Sequence, residues 1–485
     1  MIDTKTLRKK VLDLAMRGKL VSQDSNDEPA SELLKRIKAE KEELIKQKKI
    51  KRDKNETEIF KCADGLYYEK FADGTIKEVD VPYELPQGWE WSRIASATKK
   101  IVAGGDKPNE VSFEKTSEFQ IPIYSNGVKD NGLYGWAKEA KIIEPSVTVS
   151  ARGTIGFTVI RSRPFVPIVR LISVTPLEKT VDVSFLKYIL SYLIPTGEGT
   201  SIPQLTVPGL KPFLIALPPY SEQLRITESI QSYLQIIDEI DNNQAELNNL
   251  ANQLKRKVLD VAMQGKLVPQ DPNDEPTSVL LEKIRAEKLN LFKEGKLKKK
   301  DLVENELVKD NDNDYYEKLP NSWALQPIQN VYWNLGQKKP RSLFRYIDTS
   351  SIDNKSQKIV STLQISREKA PSRARKVVQK DSVLFSTVRS YLLNSAIVKD
   401  TNTEDLIAST AFVVLDSLMD SNFLLSYLIS PHTIAKVSEL STGTNYPAIN
   451  EKNFNSLAIP VPPIDEQIRI SSLISSVKRL LQKLV

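Results

Sequence analysis

One cysteine, Cys62, and one histidine, His432, are all that 485 residues provide of either type. A single thiol cannot build an internal disulfide framework, and it fits a reducing compartment. One thiol and one imidazole are also too few for a thiolate cluster or a His-built metal site. No Ser-His-Asp or Cys-His arrangement is plausible, and His432, next to Pro431 at an expected turn, reads as exposed and inert. No apolar run approaches the ~18 residues of a membrane span, and the opening MIDTKTLRKKVLD lacks the apolar stretch of a signal peptide. The expectation is a cytoplasmic protein with no membrane association. Glycine-rich cofactor motifs are missing as well. AGGDKP (103–108) has turn glycines without dinucleotide spacing, and GKL (18–20) lacks both the upstream glycine and the Ser/Thr of a phosphate loop.

What the chain has instead is a duplication. VLDLAMRGKLVSQDSNDEPASELL (11–34) returns as VLDVAMQGKLVPQDPNDEPTSVLL (258–281), identical at 18 of 24 positions. YYEK at 67–70 returns at 315–318, and LPQGW ending at Trp89 returns as LPNSW ending at Trp323. LPPYSEQLRI ending at Ile226 returns as VPPIDEQIRI ending at Ile470. Between the tryptophan and the Pro-Pro of each copy the two halves barely align, except for GTSIPQL (199–205) against GTNYPAI (443–449). The plan is framework, variable, framework, variable, framework.

The central framework reads as one helix from Ser221 to Met263, with Ser221 as N-cap and Gly265 as stop. Ile230, Tyr233, Ile237, Ile240, Gln244, Leu247, Ala251, Leu254, Val258 and Val261 are spaced alternately by three and four, a heptad seam with one polar position. Ile470, Ile474, Val477, Leu481 and Leu484 keep that register near the C-terminus, as do Leu7, Val11 and Leu14 near the N-terminus. These two segments are expected to form a second rod, antiparallel to the central helix, closing two repeats into a near-circle with pseudo-two-fold symmetry. Pro29 and Pro276 are placed in the first turn of a further helix in each copy.

The variable segments read as compact α+β domains. In the first, strand-like runs QIPIYSNG, SVTVSARGTIG, GFTVI and FVPIVRLISV precede a helix, VSFLKYILSYL. In the second, VLFST, NSAIV and TAFVVL precede NFLLSYLIS, so the two are expected to share a fold. Leu85–Tyr220 carries 15 Lys/Arg against 11 Asp/Glu, and Leu319–Pro463 carries 16 against 11. The chain's net charge is +7, so the positive surplus sits in the two heads and the framework is slightly acidic. That favours two heads that meet nucleic acid, with arginine suited to guanine edges and lysine to phosphates. The candidate contacts are Lys107, Arg152, Arg161 and Arg163 in the first head, and Lys338, Lys339, Arg341, Arg373, Arg375, Lys376 and Arg389 in the second. LPPY (217–220) lacks the polar side chain that amino-methyltransferases place before Pro-Pro, and VPPI lacks the aromatic too; a turn into the long helix is the better reading.

In this order, twice over, these motifs resemble the specificity subunit of type I restriction-modification systems. LPPYSEQLRI, VPPIDEQIRI, LKRKVLDVAMQGKLVPQD, LPQGW and LPNSW carry the resemblance, with SARGTIG and DSVLFSTVRS resembling patterns of its recognition domains. The resemblance implies an α+β fold with two target-recognition domains (85–220 and 319–463). Long antiparallel coiled-coil helices (1–60, 221–300 and 464–485) would separate them in a circularly organised tandem repeat. It implies that each domain reads one half of a split double-stranded DNA target, and that the helices set the spacer and dock two methyltransferase subunits. Catalysis, S-adenosylmethionine, ATP and Mg2+ would belong to methyltransferase and restriction subunits, and none would be bound by this chain. Framework helices preceding the first domain resemble a circular permutation within the family. Two alternatives stand beside this: a coiled-coil adaptor with two protein-binding heads, and a recognition chain with its own methyltransferase or nuclease activity.

Overall fold

Both copies of the duplicated phrase end a helix at glycine, for one geometric reason. The helix Thr4–Met16 closes with the Gly18 N–H donating to the Ala15 carbonyl (3.1 Å) and the Lys19 N–H to the Leu14 carbonyl (2.8 Å). The long helix Tyr220–Met263 closes alike, Gly265 to Ala262 (3.1 Å) and Lys266 to Val261 (3.0 Å). This pairing requires a left-handed residue, and φ is +63° at Gly18 and +70° at Gly265. A Cβ on Gly18 would stand 2.4 Å from Pro86, and one on Gly265 2.4 Å from Pro320. The next helices, Ala30–Lys46 and Thr277–Lys293, have Pro29 and Pro276 at the N-cap, one residue ahead of the expected first turn. The start of the long helix also differs from expectation. Ser221 lies inside the first turn, and it is the Pro219 carbonyl that receives the first helical N–H, from Gln223 (3.0 Å).

The computed structural model describes residues 1–484 except 54–55, 195–196, 199–203, 308–314, 317 and 341, and the backbone alone at 197–198. The chain divides into two compact units, Ile2–Asn243 and Gln244–Val485, the latter joined by Met1. The division falls inside the long helix.

The heptad seam is half as expected. Ile230, Ile237 and Ala251 are buried and Ile240, Gln244, Val258 and Val261 partly so, but Tyr233, Leu247, Leu254, Leu7 and Leu484 are exposed. Beside the exposed positions it is Leu234, Asn248 and Lys255, one residue later in each case, that turn inward, and Asp241 does so beside Ile240. The inward face is polar because its partner is polar. In the first unit Thr4 donates to Asp241 (2.6 Å), and Arg8 bridges Asp238 (2.6 Å) and Asp241 (2.7 Å). The order of these contacts makes the two helices antiparallel. In the second unit Ile470 and Ile474 of the helix Ile464–Leu484 share one core with Leu259, Ala262 and Met263.

The two heads repeat one topology in unlike sequence. In the first, Ser146–Ser150 is flanked by Thr158–Arg161 and Leu171–Thr175; in the second, Val383–Ser386 is flanked by Ser395–Ile397 and Phe412–Leu415. Beside this, Ile121–Tyr124 pairs antiparallel with Leu133–Ala137 and parallel with Val166–Pro167. Phe344–Ile347 does the same with Leu363–Ile365 and Leu406–Ser409. An entry strand and an exit strand close each head antiparallel: Glu90–Arg93 on Leu214–Leu217, and Ala324–Pro327 on Ala458–Val461. The expected helices are present as Val183–Leu193 and Ser421–Leu428, capped by Asp182 and Asp420.

Where head meets framework, a second set of equivalent contacts appears. The Trp89 indole donates to Glu222 (2.9 Å) and the Trp323 indole to Glu466 (3.0 Å). Gln23 (3.1 Å) and Gln270 (2.6 Å) donate to the other oxygen of the same carboxylates. Gln223 and Gln467 receive the backbone N–H of Asp182 and Asp420 and donate to the carbonyls of Pro218 and Pro462. Arg225 reaches Asp27 (2.5 Å) and Arg469 reaches Asp274 (2.6 Å). Burial pushes the Glu222 and Glu466 carboxyls above the usual range, against the opposing pull of these donors. Lys41 and Lys288, which a charge count treats as solvated, are buried. They donate to the carbonyls of Ala95 and Thr98, and of Gln329 and Asn330.

Two stability predictions follow from these contacts. Gly265→Ala combines a strained φ with overlap on Pro320 and should cost at least about 3 kcal/mol of unfolding free energy in denaturant titration. Gly295→Ala, at the same φ in open space, should cost about 1 kcal/mol. Asp416 is buried, and burial raises its pKa to about 6 although Ser382 donates to it. The folded state therefore holds this proton more tightly than the unfolded state, and stability is lost as pH rises from about 4 through 6. Asp416→Asn should remove that loss, so that raising the pH from 4 to 7 favours the variant over wild type by about 2 kcal/mol.

Candidate nucleic-acid interface

In the second head, the strand Ala374–Val377 lies at a sheet edge, and residues 336–338 add to it. The Lys338 N–H donates to the Arg375 carbonyl (2.8 Å) and the Val377 N–H to the Gly336 carbonyl (3.3 Å). The strand carries Arg375 and Lys376, both half-buried, beside exposed Lys338, with Arg373 and Lys339 exposed at its ends. Burial holds the half-buried Lys376 ammonium below its ordinary range, with Glu451 pulling it back only in part. Arg341 lies outside the described residues.

Arg389 forms a separate focus. It stands just past the buried strand Val383–Ser386 in a left-handed conformation, φ +49°. Its N–H donates to Pro447 (2.8 Å), its guanidinium donates to the Asn445 carbonyl (2.9 Å), and it sits 4.3 Å from the Tyr446 ring centroid. Tyr446 is 68% exposed. Arg389 thus fastens the loop GTNYPAI to the end of a core strand and displays an aromatic ring beside a cation. This is a stacking and charge combination suited to a base or a sugar-phosphate.

In the first head the matching strand Ser146–Ser150 leads to Arg152, exposed at a bend. Asn126 fixes the bend by donating to the Arg152 carbonyl (2.7 Å) and accepting from Ser150 (3.1 Å) and Thr154 (2.9 Å). Part of the loop that would correspond to GTNYPAI, 199–203, lies outside the described residues. Lys107 and Arg163 are exposed on two further loops. Arg161 is placed inside the head, not on its surface. Its guanidinium donates to Thr148 (3.0 Å) and to the Asn131 carbonyl (2.6 Å) and lies 3.5 Å from the Tyr124 ring centroid. Burial lowers its pKa.

Sequence reasoning passed over two features. Phe113 (77% exposed) packs near Tyr134, Lys115 lies over Trp136, and Lys138 lies over Phe119 while bridging Glu110 and Glu118. These two carboxylates raise the Lys138 pKa. Aromatics interleaved with lysines over 113–138 were the available signal. His432, expected exposed and inert, is partly buried and stacked on Tyr315 at 3.7 Å and 3°. No group of His, Cys, Asp and Glu that could hold a metal occurs among the described residues, and none of their helices is long and apolar enough to cross a membrane.

Two heads of one topology, each opening at a tryptophan and closing at a Pro-Pro turn into a framework helix, define the class. The sequence profile of the type I restriction modification DNA specificity domain matches residues 86–249 and 330–484. The chain belongs to this family. It is 32% identical over 393 residues to the Escherichia coli type I restriction enzyme EcoAI specificity subunit, covering 68% of this chain. It is 31% identical over 403 residues to the EcoEI specificity subunit of the same organism, again covering 68% of this chain. In each case the match spans 62% of the relative's length. A chain solved in work on complex assembly and conformational transition of the type I R-M system shares the fold. Its TM-score is 0.52 at 15% identity, over 83% of this chain and 93% of that one.

Arg389→Ala should leave the core strand intact and release the 443–447 loop. Losing a guanidinium bond and a ring contact, together worth about 1–2 kcal/mol, should raise amide exchange in that loop by roughly five- to thirty-fold. Exchange in Val383–Ser386 should not change.

Proposed function

We propose that this chain is the DNA-sequence-specificity subunit of a type I restriction-modification complex. Each head reads one half of a bipartite duplex target, and the framework helices set the spacer and dock two methyltransferase subunits. The observation that carries the reading is the pairing of equivalent junctions with unlike heads. The Trp–Glu–Gln and Arg–Asp contacts recur residue for residue, while most of the heads' basic side chains have no counterpart in the other head. A rigid frame repeated around divergent readers suits a target with two different halves at a fixed separation. The heads' positive surplus suits the phosphate contacts that dominate such binding. Lys338, Lys339, Arg373, Arg375, Lys376 and Arg389 in one head, and Lys107, Arg152 and Arg163 in the other, are assigned to DNA; Arg341 is retained with the first group. Arg161 supports its head from within.

The helices carry exposed apolar side chains away from their inward face. They include Leu224, Tyr233 and Ile236 in the first unit, and Leu247, Leu250, Leu254, Ile468 and Leu480 in the second. Such residues suit the docking of partner helices. In this reading the chain performs no chemistry. S-adenosylmethionine sits on the methyltransferase subunits, and ATP with Mg2+ on restriction subunits.

Seven residues inserted into the long helix lengthen it by about 10 Å at ~1.5 Å per residue, or roughly three base pairs. The assembled methyltransferase should then methylate sites whose halves are unchanged and whose spacer is longer by about that amount, as read by sequencing modified adenines. A changed half-site sequence, or methyl transfer by the purified chain alone, would overturn the assignment.

A further inference from the structure

A cleft of about 670 Å³ opens within the second unit, between the head and the framework helix Ile464–Leu484. Its floor is apolar, with Ile347, Ile397, Leu406, Leu425 and Ile474. Most of the charges on its walls are already neutralised. Arg345 is held by Asp400 and Asp405, and Lys399 by Asp381 (3.0 Å). Two cations of the lining are left over. The ammonium groups of Lys358 and Lys478 have no hydrogen bond or ion pair among the described residues, and the charge that acts on Lys478 is a second cation, Lys255. Burial and this like charge both hold the Lys478 ammonium below its ordinary range. Ser361 and Ser475 likewise add free hydroxyls to the lining.

The arrangement is not inherited from the duplicated frame. At the position matching Lys478 the first unit has Leu234, packed against its core, and at the position matching Ser475 it has Gln231, which bonds Tyr188. A space of this size with an apolar floor and a few polar groups is characteristic of small-molecule sites, and it is too small for a duplex. An unpaired, partly buried ammonium beside an apolar floor favours an anionic occupant. We propose that this cleft binds a small amphipathic anion, an apolar or aromatic body carrying one carboxylate or phosphate that pairs with Lys478.

The test uses the full chain and 8-anilinonaphthalene-1-sulfonate, a fluorescent anion of this class. Wild type should show a saturable component that Lys478→Glu weakens at least tenfold and Lys478→Arg changes less than threefold. Ser475→Trp, at an exposed position on the cleft wall, should fill the space and abolish that component without changing charge. Displacement by octanoate identifies the carboxylate class and displacement by adenosine monophosphate the phosphate class; either supports the proposal. Unchanged dye binding in both Lys478→Glu and Ser475→Trp, with thermal melts matching wild type, would overturn it.

Discussion

A carboxylate removed from water has to be given donors, and both units are organised around one. Glu222 and Glu466 are almost fully buried at the first turn of a framework helix. Their two oxygens are satisfied from different directions, by the tryptophan that opens the head and by the glutamine of the duplicated phrase. Removing one donor leaves a buried charge short of partners, at a cost of about 2–5 kcal/mol. The next residue, Gln223 or Gln467, ties the Pro-Pro turn to the cap of the head's own helix. Three segments far apart in sequence are thereby fixed at one point, and the glycine stop, the proline beside it and the Arg–Asp pair all converge there.

Much of this was legible because the chain writes it twice. Trp89, Glu222, Gln223, Arg225 and Asp27 all lie in phrases the chain repeats, and the apolar runs named in the heads fall on strands and helices, although Leu133–Ala137, Phe344–Ile347, Ala374–Val377 and Leu406–Ser409 went unmarked. The seam was legible at most of its positions in the long helix. At the others apolarity pointed to Tyr233, Leu247 and Leu254, while the inward sites are Leu234, Asn248 and Lys255, with Asp241 inward beside Ile240. A polar partner helix had reversed the usual rule, and Arg8, which answers Asp241, is 233 residues away. Lys41 and Lys288 escaped for a related reason, since a lysine run looks solvated until one member proves to be capping a short helix.

The candidate interface was less legible than the fold. Charge alone could not separate Arg161, enclosed by Thr148, Asn131 and Tyr124, from Arg163 two residues on, which is exposed. Nor could it distinguish a lysine along an edge strand from one on a free loop. What distinguishes them is pairing and topology, which depend on tertiary contacts. Arg389 stood out only once the GTNYPAI loop was seen folded back on it.

The closing strands give the heads a further property. Because the first and last strands of each head are hydrogen-bonded neighbours, the polypeptide enters and leaves at one place, and everything between is a loop as far as the frame is concerned. Any cassette beginning at the tryptophan and ending at the Pro-Pro turn can be seated by the same bonds. Exchange of such cassettes, within one gene or between genes, would change the heads without a new scaffold having to evolve.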